Sequence, residues 1–150
     1  MRAAAIFGLG TSLKSLDPFR ANTVAEWSEG VPASSSDADA ILIFGGDGTI
    51  HRHLRALVRL KLPVLVVAQN RLGCLNHAIL TVRSVAAQQL RCVGLVLNST
   101  EMANDIAGLT NADILKRVLD VPLLAGLGEN LMELPVDWRL MLNSTTKEAC

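Results

Sequence analysis

Short apolar runs alternate along the chain with longer stretches in which apolar residues recur every three or four positions. Continuous apolar runs are typical of parallel strands that are buried on both faces, and the longer pattern is typical of helices. The runs predict strands at Ala3–Phe7, Ala40–Phe44, Pro63–Val67, Cys92–Leu97 and Val121–Ala125, with a weaker strand near Val24–Trp27. The alternation predicts an α/β fold: a three-layer sandwich around a mostly parallel, Rossmann-like sheet of five or six strands.

Amphipathic patterns predict helices between these strands. The helices are expected over Thr49–Leu60, Cys74–Leu90 and Ala112–Leu119. Asn111 stands where an N-cap of the third helix is expected, because its side-chain oxygen can accept a first-turn N–H. Residues 1–142 are expected to form a single nucleotide-binding domain, and the small polar residues 143–150 are expected to fray.

Composition narrows the class of protein. The chain has 150 residues, enough for one hydrophobic core, and its net charge of zero gives no footprint for nucleic acid or for an anionic membrane surface. No apolar run approaches the ~20 residues that span a bilayer, and the N-terminus lacks the layout of a secretory signal, so a cytoplasmic location is expected. The scattered cysteines Cys74, Cys92 and Cys150 predict neither a disulfide nor a zinc site.

A glycine-rich loop stands between the apolar run Ala40–Phe44 and the first predicted helix. Its residues are Gly45, Gly46, Asp47, Gly48 and Thr49. Glycines allow the backbone to approach an anion closely, and the positive end of the following helix attracts it. The loop is therefore predicted to bind nucleotide phosphates, with Asp47 as a magnesium ligand. The alternative is an ordinary tight turn between a strand and a helix.

With its flanks, this loop resembles the nucleotide-binding loop of the diacylglycerol kinase and lipid kinase catalytic domain. The likeness covers residues 1–67 and includes Ile50–Leu54 after the glycines. It implies ATP and Mg²⁺ as cofactors and a lipid as phosphate acceptor. The family's second glycine loop, roughly Pro-x-Gly-Thr-x-Asn, is missing from this sequence.

A second stretch, residues 62–134, resembles the C-terminal half of dethiobiotin synthetase, with residues 68–142 as the corresponding half of the domain. The segments that carry the likeness are Leu62–Ala78, Leu80–Val82, Val93–Asn98, Leu109–Leu115 and Val121–Ala125. The likeness implies an ATP-dependent ligase of biotin biosynthesis, in which a carbamate made from a diamine and CO2 is phosphorylated before the ring closes. That family's lysine-bearing phosphate loop belongs to an N-terminal half that this sequence does not contain.

The synthetase likeness also implies roles for individual residues. Asn98 matches an asparagine that contacts the adenine ring, and its alternative role is an Asx turn at the end of the strand. Four residues match the helix start that holds the substrate carboxylate across a homodimer interface: Gly73, Cys74, Leu75 and Asn76. The alternative for these four is a helix cap. A homodimer is expected, with the stripe Ala78, Ile79, Val82, Val85 and Ala86 as its contact.

Three hypotheses for the function follow. The first is a truncated ATP-binding lipid kinase-like phosphotransferase, which is favoured because the first half carries the intact phosphate motif. The second is a dethiobiotin synthetase-like ligase, and the third is a non-catalytic fusion of two half-domains. No catalytic residue is identifiable, and an impaired enzyme is expected because each half lacks part of its family's phosphate site.

Three further sequence features are weaker candidates for a ligand-binding or metal-binding site. Residues Gly8–Ser15 approach a phosphate-loop pattern but carry Leu13 where a glycine is needed. Arg52, Arg55 and Arg59 are predicted to form a solvated helix face, with an anion site as the alternative. His51 and His53 point to different sides of a helix and make a poor metal pair.

Overall fold

The computed structural model of the chain describes residues 2–9, 11, 26–99 and 106–127. These residues form an α/β fold around a six-stranded sheet in which every pairing is parallel, as the alternation of patterns predicts. The strands are β1 (Arg2–Phe7), β2 (Glu26–Glu29), β3 (Ala40–Phe44), β4 (Val64–Gln69), β5 (Cys92–Asn98) and β6 (Leu123–Leu127). The described helices are α1 (Asp47–Leu60), α2 (Cys74–Ala87) and α3 (Ile106–Val118).

The order of strands in the sheet decides where a ligand can bind. The order is β2-β1-β3-β4-β5-β6, so the chain leaves β1 in one direction to β2 and later extends the sheet in the other direction. The change of direction occurs between β1 and β3, where Phe7 pairs with Phe44 at the carboxyl ends of the two strands. In open parallel sheets, ligands bind in the crevice outside this point.

Both faces of the sheet are buried. On one face, strand residues such as Ile43 and Val66 pack against Ile50 and Leu57 of α1 and Val85 of α2. Alternate strand residues form a second cluster on the opposite face: Ala3, Ala5, Leu42, Phe44, Leu65, Val67 and Val96. Burial on both faces explains why the strands read as continuous apolar runs rather than as alternating ones.

Helix α3 begins earlier than its asparagine predicts. The helix starts at Ile106, so Asn111 lies inside the helix and does not cap it. The side chain of Asn111 instead donates to Asn70 Oδ1 at 2.9 Å and to the Arg71 carbonyl at 3.2 Å. The cap prediction was wrong because these tertiary hydrogen bonds satisfy the amide within the helix.

Several other boundaries also differ from the prediction, among them the start of β6 and the end of α2. Strand β6 begins at Leu123 rather than Val121, because Pro122 has no N–H to donate and contributes only its carbonyl, which accepts from Leu95 N at 2.9 Å. Helix α2 ends at Ala87 rather than Leu90, and Gln89 follows in the left-handed region with φ of 55°. The predicted tail 143–150 lies outside the described residues.

Three of the five residues of the α2 stripe that was expected to contact a second copy are buried within the chain. Ala78, Val82 and Val85 are buried, and Ala78 and Val85 belong to the core cluster on the helix face of the sheet. These residues are therefore not available as a dimer contact, and the expectation of a homodimer rests on the family likeness alone.

Candidate functional site

A cavity of about 350 Å³ opens at the carboxyl edge of the sheet, at the change of direction between β1 and β3. Its volume falls within the usual range for small-molecule sites. All five residues of the predicted phosphate loop line it: Gly45, Gly46, Asp47, Gly48 and Thr49. Leu9 and Thr11 contribute from beyond β1, and Arg71 and Leu72 contribute from the loop between β4 and α2. Sequence reasoning placed the glycine loop at this edge, and the structure shows which residues surround it.

Close backbone approach explains the glycines at positions 8 and 45. A Cβ on Gly45 would lie 2.5 Å from Thr49 Oγ1 and 3.3 Å from Gly8 Cα, and a Cβ on Gly8 would also collide with Thr49 Oγ1. The two segments are tied together, because Gly8 N donates to the Phe44 carbonyl at 2.7 Å. Larger residues at either position would push Thr49 out of place.

Thr49 carries an unsatisfied hydroxyl. The residue is 8 % exposed and lines the cavity, and its Oγ1 has no hydrogen-bond partner within the part of the chain that the structure describes. Leaving a buried polar group unpaired costs about 1–3 kcal/mol, so a polar ligand atom in the cavity would recover this energy.

Two helices begin at the cavity. Gly46 is the N-cap of α1 and Gly73 is the N-cap of α2, and neither helix start has a side-chain cap. Thr49 N donates to the Gly46 carbonyl and Cys74 N to the Arg71 carbonyl, both at 3.0 Å. Other N–H groups of a first helical turn have no partner within the helix, and each helix start carries a partial positive charge. Gly73 has φ of 86°, which favours glycine there.

The four predicted substrate-binding residues lie in different environments in the structure. Cys74 lines the cavity, and burial raises the pKa of its thiol, so the thiolate is disfavoured. Leu75 packs against the hydrophobic core, whereas Asn76 is exposed. Within the described residues, of the four only Cys74 is part of the cavity wall.

Charged side chains of both signs line the cavity. Arg52 and Arg71 supply positive charge, Asp47 supplies the carboxylate, and His77 adds a titratable ring from the first full turn of α2. The arginines of α1 do not act as one stripe, because Arg59 donates to the Ala33 carbonyl at 3.3 Å, away from the cavity. His51 and His53 are not among the residues that line the cavity, and no metal-binding group of three or more His, Cys, Asp or Glu occurs in residues 2–9, 11, 26–99 and 106–127.

Asn98 ends β5 on the same edge of the sheet but does not line the cavity. It is 7 % exposed, and among the described residues its side-chain amide has no hydrogen-bond partner. Its carbonyl accepts from Asn70 N at 2.8 Å, so Asn98 fixes the start of the loop that carries Arg71.

A junction of side-chain amides holds that loop. Asn70 Nδ2 donates to the Gly108 carbonyl at 3.0 Å and to Ser99 Oγ at 3.1 Å, and Asn111 of α3 donates back to Asn70 Oδ1. The junction therefore fixes the position of Arg71 and of the start of α2. Sequence reasoning missed both Arg71 and His77; the one available signal was that Arg71 closely follows a buried strand at its carboxyl end.

Comparison with protein-family models finds a match to the AAA domain family over residues 19–131, about three quarters of the chain. The match begins within the first half, so it includes most of the segment that resembles a lipid kinase.

Curated relatives agree on one activity. The ATP-dependent dethiobiotin synthetase of Akkermansia muciniphila is 38 % identical over 78 residues, which are 51 % of this chain and 37 % of the relative. The enzyme of the same name from Saccharopolyspora erythraea is 35 % identical over 111 residues, 70 % of this chain and 50 % of the relative. That of Thermodesulfovibrio yellowstonii is 38 % identical over 86 residues, 56 % of this chain and 35 % of the relative.

The chain thus spans between about a third and a half of the length of these relatives. The comparisons support the dethiobiotin synthetase likeness and give no support to the lipid kinase likeness. They favour the hypothesis of a dethiobiotin synthetase-like ligase over that of a lipid kinase-like phosphotransferase, which the sequence pattern alone favoured. The relatives are named as ATP-dependent, in agreement with the expectation of ATP. In the described residues, no helix is long and apolar enough to cross a membrane.

Proposed function

The chain belongs to the AAA domain family, and from this premise we propose that it is a dethiobiotin synthetase-like domain that binds ATP with Mg²⁺ in the cavity at the sheet edge. The observation that carries the proposal is the convergence of two helix starts without side-chain caps on one cavity, which also contains the Thr49 hydroxyl, a group with no hydrogen-bond partner among the described residues. Backbone N–H groups, helix dipoles and a buried hydroxyl together suit a phosphate group.

Each part of the ligand has candidate contacts. The phosphates would meet the start of α1 and the guanidinium groups of Arg52 and Arg71, which line the same cavity. Asp47 would hold Mg²⁺, since a carboxylate supplies an oxygen ligand of the kind that this ion prefers. The ion, when bound, offsets the negative charge of the phosphates. The buried amide of Asn98, which has no hydrogen-bond partner within the described part of the chain, supports a contact with the adenine edge further along the sheet.

The substrate class follows from the same likeness. We propose a diamine that carries a carboxylate, with the carboxylate at the helix start Gly73–Asn76. This helix start and the glycine loop share one cavity, which supports a phosphate acceptor close to the nucleotide. The proposal treats residues 1–142 as one domain, and the pairing of β3 with β4 in a single sheet supports it. A homodimer remains part of the proposal, and sedimentation velocity at micromolar concentration tests it.

Titration calorimetry with Mg-ATP tests the nucleotide site. Thr49→Val keeps the shape of the side chain and removes the hydroxyl, so affinity should fall by about tenfold, the usual effect of one hydrogen bond to a charged group. Thr81→Val is the matched control, because the Thr81 hydroxyl donates to the His77 carbonyl in its own helix at 2.6 Å and does not line the cavity. Equal affinities for Thr49→Val and the parent, or no binding by the parent, would refute the proposed site.

The magnesium contact and the reaction need separate assays. Mg²⁺ should tighten ATP binding by the parent and should have little effect on Asp47→Asn, which loses the carboxylate charge at the cavity. For the reaction, ATP consumption is measured with diaminopelargonic acid and bicarbonate, each omitted in turn. ATP consumption that requires both the diamine and bicarbonate would support the ligase. ATP binding without such consumption would restrict the proposal to a nucleotide-binding domain.

A further inference from the structure

His77 lies where the two helix starts of the cavity meet. It belongs to the first turns of α2 and lines the cavity together with Gly46, the N-cap of α1. Its Nδ1 is 3.3 Å from the position that a Cβ on Gly46 would occupy, so the ring sits directly against the phosphate loop. The side chain is exposed, and within the described residues its ring has no hydrogen-bond partner.

We propose that His77 is a pH-dependent ligand of the anion in this cavity, and that its protonated ring donates a hydrogen bond to a phosphate oxygen held at the start of α1. The inference rests on the proposed nucleotide site and adds to it a ligand from α2. A histidine ring gains its charge between about pH 8 and pH 5, and a charged donor binds phosphate more strongly than a neutral one.

The surrounding charges determine the direction of the effect. Arg52 and Arg71 supply positive charge to the cavity wall that also contains His77, and Asp47 supplies a carboxylate. Cys74, the other titratable group of the wall, keeps its proton because burial raises its pKa. A bound phosphate places several negative charges beside the ring and favours its protonated form. Anion binding should therefore take up a proton, and affinity should rise as the pH falls.

Calorimetry with Mg-ATP at about pH 6 and about pH 8 tests the inference. The parent, His77→Gln and the control His53→Gln are compared, because His53 lies on α1 outside the cavity wall. ATP itself gains a proton in this range, but that contribution is the same for all three proteins. His77→Gln should bind about fivefold more weakly than the parent at the lower pH and about equally at the higher pH, as expected for one exposed charged contact. His53→Gln should follow the parent.

A second variant and a second measurement protect the test against a folding defect. His77→Lys carries a positive charge at both pH values, so its affinity for Mg-ATP should change with pH no more than that of His77→Gln does. At the higher pH, His77→Lys should bind Mg-ATP more tightly than His77→Gln. Titrations in two buffers of different ionisation enthalpy should show proton uptake by the parent beyond that of His77→Gln. Identical pH dependence and proton uptake in the parent and His77→Gln would overturn the role of His77 alone. Absence of ATP binding by the parent at both pH values would overturn the proposed function together with it.

Discussion

Replacing Asn111 with alanine should destabilise the protein by about 2 kcal/mol. The residue is 2 % exposed, and its amide makes two hydrogen bonds, to Asn70 Oδ1 at 2.9 Å and to the Arg71 carbonyl at 3.2 Å. Each bond contributes about 1 kcal/mol net, and the two acceptors that remain would be poorly satisfied. Alanine has the higher helix propensity, which recovers about 0.5 kcal/mol and leaves the loss near 2 kcal/mol.

Urea unfolding at 25 °C measures this loss. Asn111→Asp is the informative second variant, because its carboxylate would place acceptors against two acceptors, so it should destabilise at least as much as alanine. Asp113→Ala, at an exposed position of the same helix, is the control and should change stability by less than about 0.5 kcal/mol. A change of less than about 0.5 kcal/mol for Asn111→Ala would show that this junction does not hold the loop. Because Arg71 lines the cavity, Asn111→Ala should also weaken Mg-ATP binding.

Two further predictions concern packing and protonation. Gly94→Ala should lower the free energy of unfolding by about 1–3 kcal/mol, because a Cβ there would lie 2.9 Å from Leu124 Cγ and 3.0 Å from the Pro122 carbonyl. Gly48→Ala should raise it by up to about 1 kcal/mol, because the added Cβ meets open space within a helix. Equal effects of the two variants on urea unfolding would contradict this prediction. Burial raises the pKa of the Cys92 thiol from 9.0 to about 11. Between these values the folded chain keeps a proton that the unfolded chain releases, so the free energy of unfolding should fall by about 1–2 kcal/mol as the pH rises from 9 to 11. Cys92→Ser should lack that part of the decline, and identical pH slopes would refute the assignment.

Local sequence patterns were sufficient for the sheet and for the glycine loop. Ala40–Phe44 is buried on both faces, so its apolar run had no competing interpretation, and the loop that follows must lie at the carboxyl edge of a parallel sheet. The start of α2 at Cys74 was likewise predicted from the amphipathic pattern, and Gly73 takes the left-handed conformation before it. These features depend on neighbours in the sequence.

The features that sequence reasoning missed depend on distant residues. Asn111 has the side chain of a helix cap, and only its contacts with Asn70 and Arg71 keep it inside a helix. His77 reaches the phosphate loop because Gly46 allows two helices to approach closely. The lipid kinase family was favoured for a related reason. The glycine loop is a short and easily recognised motif, whereas the likeness to the synthetases consists of weaker matches in many segments.

The place of β1 in the sheet has a consequence for how the chain folds. This strand precedes β2 and β3 along the chain, yet it is an interior strand, with β2 on one edge and β3 on the other. Its nearest partner in the core, β3, begins only at Ala40, and the pairing joins Ala3 to Ala40 across the intervening chain. Closing such a loop has an entropic cost that local helix–strand units do not have. Until β2 and β3 have formed, the apolar run Ala3–Phe7 therefore has two unpaired edges that can pair with other strands.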